Sequence, residues 1–378
     1  MYSEQMTPDP LATSDDLKES VALWLQDMTR GLTIGRFRFC RRRGFVPTDG
    51  PEGQVSTCFA VKIAWHIGAW QDWQADAREA CIRFIQSFQT AEGNFVDEWL
   101  LRNLDVAPRL AALKRLRIAD LVSYRPSADA RCRAVRAETR QSAATLLMVG
   151  ERPRFPLPTS LWVNESDVRQ FVRSFDWSSP WGSGSHTSHL VSFLVINDRL
   201  RGEPSPSLST LLDATFDEVN QFLDERTGTW GLGAISPVQR INGAMKMLTA
   251  CRWANRPTPH PENLVDFALD HASGADGCGV LDRLFVLRNA SLDAPDHRID
   301  DIRQFAFTAL GEIASHRQHD GAFSFSPARA QRAYYGALVS LGERQSDLHG
   351  TVMLTWAWAI ALDILGLRER LGWRISVP

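Results

Sequence analysis

The sequence lacks the features that would indicate a secreted or a nucleic-acid-binding protein. Its six cysteines are widely spaced and form no CxxC pair, so a disulfide framework is not indicated. Lysine is scarce, and the net charge of −2 argues against binding nucleic acid through bulk positive charge. The N-terminus has no basic segment followed by an apolar one, which is the pattern of a signal peptide. We therefore expect a cytoplasmic protein in which residues 1–14 form a flexible N-terminal segment.

Long hydrophobic runs are also missing. The most apolar window, Thr351–Leu367, is shorter than the roughly 20 residues that a membrane span requires, and it contains Asp363. We therefore predict a buried helix here and no integral membrane segment.

Helical periodicity dominates what is present, and strand-like alternation is nearly absent. No Asn-Gly or Asp-Gly pair separates two alternating hydrophobic runs, so no hairpin is predicted. An all-α fold is therefore expected. Apolar residues recur at three- and four-residue spacing in Ser14–Thr29, Trp73–Gln89, Leu161–Ser174, Ser209–Leu223, Pro261–His271 and Ile302–His316.

Short turns that combine glycine with an aromatic or small residue divide the helices. They centre on Gly93, Gly182, Gly228, Gly277 and Gly321. The last three intervals are 46, 49 and 44 residues, and the first, of 89, is about twice as long. A degenerate turn is therefore predicted near residue 138, and one period before the first turn lies Gly50. The series predicts six or seven helical hairpins with a period of about 46 residues.

The segment after each turn is more continuously apolar than the one before it, which indicates burial on most sides. These segments are Val55–Trp70, Ser185–Ile196, Pro237–Trp253, Val280–Leu287 and Leu348–Ile364. Amphipathic helices outside and apolar helices inside are the pattern of an α/α toroid, here one domain over residues 1–378. An open solenoid is the alternative, but it needs polar terminal caps, whereas the last helix is among the most apolar.

The stretch Ala80–Trp99, ACIRFIQSFQTAEGNFVDEW, resembles the repeat of the squalene-cyclase and protein-prenyltransferase toroids. Val219–Gly231 and Ala309–Phe325 repeat the pattern more weakly. The resemblance implies an enzyme of isoprenoid or terpenoid chemistry, cyclase-like or prenyltransferase-like, with an apolar aromatic cavity. The DxDD pattern of class II cyclases is missing, which puts a squalene-type cyclisation in doubt. The DDxxD pattern of ionising terpene synthases is also missing.

Titratable residues near the starts of the apolar segments are the candidate catalytic groups. His186 and His189 share one helix face, which suits acid–base catalysis or metal binding, although they could also cap the helix. Asp347 and His349 precede the last apolar segment, with Tyr335 upstream, and Asp347 alone would also suit a helix N-cap. Asp282 follows the turn at Gly277 and adds a further carboxylate.

A zinc site is a further possibility that the resemblance implies. Asp276 and Cys278 are similar to the Asp-x-Cys ligands of prenyltransferase β-subunits, and His349 lies at about the right distance downstream. An Asp/Cys/His set with an open fourth position would form a catalytic zinc centre. A turn aspartate and a small buried cysteine are the alternative interpretation.

Polar groups in the otherwise apolar segments predict a subsite for an anionic part of the substrate. Such groups are costly to bury without a partner, and an internal salt bridge is the alternative partner. Aromatic residues of the same segments would contact the apolar part of a small-molecule substrate. The predicted substrate-binding residues are Lys62, Trp65, Arg240, Asn242, Lys246 and Trp356.

Two other functions are consistent with the same residues. Toroids of six hairpins also carry carbohydrate lyases, epimerases and glycosidases, in which His, Tyr and Arg would remove a proton beside a uronate carboxylate. A non-catalytic binding toroid is the third interpretation. The sequence does not predict the substrate or the oligomeric state.

Overall fold

The computed structural model describes residues 10–42, 53–106, 128–202 and 205–376. Within these ranges the chain is mostly helical, which confirms the predicted all-α class at this level. The α-helices are α1 (Pro10–Thr29), α2 (Gln54–His66), α3 (Ala75–Gln86), α4 (Glu98–Asn103), α5 (Ala128–Met148), α6 (Glu165–Arg173), α7 (Pro180–Arg201), α8 (Pro206–Val219), α9 (Pro237–Trp253), α10 (Pro261–Asp270), α11 (Gly277–Ser291), α12 (Ile299–Ser315) and α13 (Leu348–Ile364).

The remaining regular structure is short. Two 3₁₀ helices span Ala69–Asp72 and Asn220–Phe222. Strands β1 (Leu223–Asp224) and β2 (Thr229–Trp230) form one antiparallel pair, and β3 (Ala333–Tyr334) and β4 (Ala337–Leu338) form another. None of the helices in the described ranges has the length and apolarity needed to span a bilayer.

The chain divides into two compact units. The first contains the described residues up to Gln89, those of Phe95–Glu151 and those from Phe307 onward. The second contains Thr90–Asn94 and Arg152–Ala306.

The core of the first unit is a row of three helices in which α2 lies between α5 and α13. Helices α2 and α13 are buried along most of their length, as expected for helices that are apolar on nearly every side. The amphipathic helix α3 packs on α2 and α5. Its buried residues Ala80, Cys81 and Ile85 lie on one face.

The core of the second unit is a corresponding row in which α9 lies between α7 and α11. Gly184 of α7 faces the carbonyl of Gly243 in α9, and a Cβ on Gly184 would lie only 3.0 Å from that oxygen. The two glycines therefore allow the helices to approach closely. Helix α8 packs on α6 and α7, and α10 packs on α11.

The first and last predicted Gly turns share one hydrogen-bond pattern. The N–H of Gly93 donates to the Thr90 carbonyl at 3.0 Å, and the N–H of Gly321 donates to the Gln318 carbonyl at 3.0 Å. Both glycines have positive φ, of 88° and 98°, a conformation that favours glycine.

The aromatic residue two positions after each of these glycines is anchored in the same way. The N–H of Phe95 donates to the Thr139 hydroxyl of α5 at 3.0 Å, and the N–H of Phe323 donates to the Thr351 hydroxyl of α13 at 3.2 Å. In each case a threonine on an apolar helix satisfies a backbone donor of the turn. The weaker third copy, at Gly228, has the same positive φ inside the β1–β2 turn.

Two other predicted turns lie within helices instead. Pro180 begins α7, and because its fixed φ suits the first helical position, Gly182 is already helical. The Asp276 side chain caps α11, so that helix begins at Gly277. The predicted turn at Gly50 lies outside the described residues.

Helix α5 is the largest departure from the sequence predictions. The degenerate turn predicted near residue 138 was wrong, because that position lies in the middle of a 21-residue helix. Its sequence, ADARCRAVRAETRQSAATLLM, is rich in Ala and Arg, which favour helix through propensity but give little apolar periodicity. At the N-terminus, α1 begins at Pro10, within the segment that was predicted to be flexible.

Substitution of Gly93 tests the turn. A Cβ at Gly93 would lie 1.8 Å from the Pro156 carbonyl oxygen, so Gly93→Ala adds a backbone clash to the strain of positive φ. Gly150 also has positive φ, of 86°, but a Cβ there meets nothing within 4 Å. We expect Gly150→Ala to lower the free energy of unfolding by about 1 kcal/mol and Gly93→Ala by clearly more. Urea denaturation measures both, and equal losses would contradict this account of the turn.

Candidate functional site

Tyr334 of β3 connects the titratable groups in the core of the first unit. Its hydroxyl donates a hydrogen bond to Glu138 Oε1 of α5 at 2.7 Å. Its ring lies edge-on to the rings of Phe59, at 5.9 Å, and of His349, at 5.7 Å. Side chains from α2, α5, the β3–β4 hairpin and α13 therefore meet at one place.

Glu138 is a buried acid with a perturbed pKa. Its relative exposure is 1%. Burial raises the pKa of its carboxyl group to about 8, and the hydrogen bond from Tyr334 opposes that shift only in part. The group therefore holds its proton at neutral pH. Its Oε2 atom has no hydrogen-bond partner among the described residues.

His349 lies between two aromatic rings. Its imidazole stacks on Phe59 with centroids 5.1 Å apart and on Phe325 with centroids 5.0 Å apart, both nearly parallel. Its Nδ1 is 2.6 Å from Gln331 Oε1. Because that amide oxygen only accepts, Nδ1 carries the hydrogen, and the basic lone pair of the neutral ring is on Nε2.

Asp347 has a structural role at the start of α13. Its Oδ1 accepts from the N–H of Gly350 at 2.8 Å, as a helix N-cap does. Its Oδ2 accepts from the N–H groups of Phe325, at 2.8 Å, and Gln331, at 3.0 Å. Burial raises the pKa of Asp347 to about 6, against the effect of these hydrogen bonds. Asp347 thus positions the segments around His349, and both of its oxygens are occupied by backbone donors.

The β3–β4 hairpin presents two adjacent tyrosines. Tyr335 and Gly336 form its two-residue turn, with φ of 48° and 94°, so both residues are left-handed, as in a type I′ turn. Tyrosine rarely adopts this conformation, and such strain is often found at functional sites. The rings of Tyr334 and Tyr335 are 4.8 Å apart and nearly perpendicular.

Helix α2 carries a line of buried polar residues that we call the polar column: Gln54, Cys58, Lys62 and His66. They recur at every fourth position, which places them along one helix face. Gln54 and Cys58 both contact the Ser142 hydroxyl of α5. Lys62 donates from Nζ to Gln141 Oε1 of the same helix at 3.2 Å. His66 bonds through Nδ1 to the Thr355 hydroxyl of α13 at 2.9 Å. A predominantly apolar helix thus presents a polar face to its two neighbours.

Lys62 and Arg140 place two cations close together in this region. Lys62 is 5% exposed, and burial, followed by the charge of Arg140, lowers its pKa to about 7. Burial also lowers the pKa of Arg140, whereas Tyr335 and Tyr334 raise it. Neither cation forms an ion pair with any described residue.

The other predicted aromatic residues of the first unit have structural contacts. Trp65 donates from Nε1 to the Ile375 carbonyl at 3.2 Å and lies under the Arg374 guanidinium. Trp356 is buried and stacks on His66 with centroids 6.3 Å apart.

The structure places His186 and His189 in the second unit, on α7. His186 stacks on Phe175 at 5.0 Å, and His189, which is buried, stacks on Phe193 at 6.4 Å. The two imidazole centroids are 6.3 Å apart. The predicted shared face is confirmed by this contact between the rings.

The remaining predicted polar residues also lie in the second unit. Burial raises the pKa of Asp282 to about 7, and the charge of Lys246 opposes the shift. The Asn242 amide nitrogen donates to Asp282 Oδ2 at 3.3 Å. Arg240 donates to the Thr229 hydroxyl at 3.0 Å and lies 3.7 Å from an Asp224 oxygen. Arg240 and Lys246 thus each lie near a carboxylate.

The predicted zinc ligands form no metal-binding group. In the described ranges, no three His, Cys, Asp or Glu side chains are arranged to hold a metal ion. Asp276 instead caps α11 by accepting from Gly279 at 2.9 Å, and His349 is bonded to Gln331. Burial raises the pKa of the Cys278 thiol, which disfavours the thiolate that would bind zinc. The zinc prediction was therefore wrong for these three residues.

Two cavities lie away from Tyr334. One of about 810 Å³ in the second unit is lined partly by Trp162, Asn197 and Arg201. One of about 510 Å³ in the first unit is lined partly by Phe37 and Trp73. Neither is lined by a residue predicted from the sequence to bind substrate.

Sequence reasoning missed several groups around Tyr334. Glu138 and Arg140 lie on α5, which was not predicted, and Gln331 and Phe325 lie in irregular chain. The one available signal was an acid within an Ala-rich segment that ends in the apolar run SAATLLM. It becomes recognisable only once α5 is known to be a core helix.

Comparison with known proteins assigns no family. The sequence matches no protein-family model and no curated protein. A solved structure of a protein from Actinoplanes aligns over 92% of this chain and 99% of its own, with a TM-score of 0.42 and 14% identity. A similarity of this size supports no inference about fold or function.

Removal of Asp347 tests its structural role. Asp347→Ala leaves three backbone N–H groups without their acceptor, so we expect the free energy of unfolding to fall by about 3 kcal/mol or more. Asp276→Ala removes a cap with one such bond and should cost about 1 kcal/mol. Chemical denaturation of both variants measures the difference. Equal losses would refute the role given to Oδ2.

The pKa of Glu138 predicts a pH dependence of stability. Its folded value of about 8 lies above the ordinary 4.5, so its contribution is complete below pH 4.5 and is lost as the pH rises through 8. Wild-type stability should therefore fall between pH 5.5 and 8. In Glu138→Gln the fall should be smaller, by on the order of 3 kcal/mol. Urea titrations at both pH values test this, with the exposed Glu262→Gln as a control that keeps the wild-type fall.

Proposed function

We propose that the protein is an enzyme that transfers a proton during the conversion of an isoprenoid-type substrate. The observation that carries this proposal is the buried Glu138–Tyr334 pair beside the imidazole of His349. Perturbed acids near a second proton-carrying group are more frequent at catalytic sites than elsewhere.

Glu138 is the proposed proton donor. Tyr334 donates to its Oε1, so the proton of the neutral acid belongs on Oε2. That atom has no partner among the described residues and is therefore the one able to donate. An acid that keeps its proton to about pH 8 suits protonation of an oxygen leaving group better than protonation of an alkene carbon. This preference agrees with the missing DxDD pattern.

The rings around His349 are the proposed environment for the carbon part of the substrate. Phe59, Phe325 and Tyr334 surround the imidazole within 6 Å between centroids. Aromatic faces stabilise a nearby cation by about 1 kcal/mol or more when water is excluded. A carbocation is the cationic intermediate that isoprenoid chemistry would place there.

The proposed reaction begins with ionisation of the substrate. The C–O bond of an allylic ester or diphosphate breaks, and its electron pair goes to the leaving oxygen. The Oε2 proton of Glu138 goes to that same oxygen, which leaves an allylic cation and the Glu138 carboxylate. Loss of a proton from the cation to Nε2 of His349 then gives a conjugated diene. Transfer of that proton from the imidazolium to the Glu138 carboxylate restores both groups.

The scaffold that we propose is the toroid of six or seven hairpins predicted from the repeat. Support for it comes from each unit taken alone. Each contains three neighbouring core helices in a row, with amphipathic helices packed on them. The shared hydrogen bonds of the Gly93 and Gly321 turns support a common repeat.

Carbohydrate modification is the second candidate, and one observation favours it. The charge of Arg140 acts on both Tyr334 and Tyr335, which is the combination that removal of a proton beside a uronate carboxylate requires. An Arg would neutralise the carboxylate, and a tyrosine would remove or return the proton. Exposed Tyr335 provides a group that a polar sugar could reach.

The proposal predicts separable effects on binding and turnover. Farnesyl and geranylgeranyl diphosphate should raise the melting temperature of the wild-type protein, whereas nucleotide sugars and uronates should not. Glu138→Gln keeps the acceptor for Tyr334 but has no transferable proton. It should keep this shift and lose turnover by about 100-fold or more, a typical contribution of one general acid. Product analysis by gas chromatography measures turnover.

Tyr334→Phe and Glu262→Gln serve as the companion variants. The first should reduce turnover less than Glu138→Gln, because Tyr334 only orients the acid, and the second should have no effect. Stabilisation by uronates alone would favour the carbohydrate candidate. Ligand binding with no turnover of any substrate by the wild type would favour a binding protein and would contradict the proposed reaction.

A further inference from the structure

We propose that Lys62 and Arg140 together bind an oxyanion, namely the phosphate or carboxylate group of the substrate. This inference rests on the proposed function, because it places the anionic part of the substrate on the same helices as Glu138. It adds the ligand chemistry that the acid–base groups do not specify.

Geometry brings the two cations together. Lys62 Nζ donates to Gln141 Oε1 at 3.2 Å, and Gln141 follows Arg140 directly on α5. The ammonium group therefore lies against α5, one residue along the helix from Arg140. Burial lowers the pKa of Lys62 most, and repulsion by the Arg140 charge lowers it further.

Lys62 is buried and Arg140 is half-buried, and the described residues give neither a counter-charge. Lys62 is 5% exposed, and its amide partner carries no charge. The Nε of Arg140 is buried with no acceptor among the described residues. A buried charge that is not paired is costly, and two adjacent like charges cost more than one. A bound oxyanion would satisfy both groups at once, since an Arg fork and a Lys ammonium are the usual ligands of phosphate and carboxylate.

Arg240 and Lys246, the two other cations predicted to bind substrate, do not share this arrangement. Arg240 lies 3.7 Å from Asp224, and Lys246 interacts with Asp282. Those side chains are balanced within the protein, which is the salt-bridge alternative considered for all of them. For Lys62 and Arg140, the described residues supply no such carboxylate.

Access to the pair is available from the hairpin side. Tyr335, which raises the pKa of Arg140, is 36% exposed, and Arg140 itself is half-buried. An anionic group could therefore reach Arg140 from solvent while the substrate's other end extends toward Tyr334.

Isothermal titration calorimetry of the full-length protein with inorganic pyrophosphate and with galacturonate tests the inference. We expect one of the two to bind the wild type, and Lys62→Met and Arg140→Met each to weaken that binding by about tenfold or more. Lys62→Arg keeps the charge and should bind within about threefold of wild type. Lys18→Met is the matched control, because Lys18 lies in the same unit, on α1, and should have no effect.

Every outcome of the titrations either supports or overturns the oxyanion site. Preference for pyrophosphate or for galacturonate identifies the anionic group, and both outcomes support the oxyanion site. No binding of either ligand, or unchanged affinity in Lys62→Met, would overturn it. Should Lys62→Met fail to fold by circular dichroism, Arg140→Met decides by the same criterion.

Glu138→Gln separates this inference from the proposed function. It should keep the oxyanion affinity of the wild type. Oxyanion binding that depends on Lys62, without turnover that depends on Glu138, would leave the oxyanion site standing and remove the proposed reaction. Turnover that depends on Glu138, with no oxyanion binding, would do the reverse.

Discussion

Asp347 accepts backbone hydrogen bonds from three separate positions of the chain, and the geometry of the site depends on them. One bond starts α13, and the other two hold Phe325 and Gln331 against that helix end. Gln331 in turn fixes the ring of His349, and Phe325 covers one of its faces. The same buried carboxylate therefore satisfies the backbone and orients the imidazole, so fold and site cannot vary independently here.

Much of the helical architecture follows from the sequence. The predicted bounds Pro237–Trp253 and Leu348–Ile364 are those of α9 and α13, because a capping side chain and a long apolar run define both helices. Helix α5 could not be found in this way, since its helical tendency comes from propensity and its burial from tertiary contacts. The β3–β4 hairpin was missed because Tyr335 occupies a turn position at which Asn or Asp is usual.

Only those site residues that have a signal in their own stretch of sequence could be predicted. His349 and Tyr335 were recognised by their neighbours in sequence. Lys62 was recognised because lysine is scarce in this protein and this one lies in an apolar segment. Their relation to Glu138 depends on contacts across nearly 200 residues, which no spacing rule reports. The burial of Glu138 and Lys62, which shifts the pKa of both groups, likewise results from contacts between distant parts of the chain. Stability given up in this way is typical of residues retained for binding or chemistry.

The polar column of α2 limits how this helix can change. Its members contact two different helices, yet they share one face only because exactly three residues separate each from the next. A single inserted or deleted residue would turn everything beyond it by about 100° and place polar groups against the apolar neighbours. Individual substitutions leave that register intact. Related chains should therefore vary in the composition of α2 far more readily than in its length.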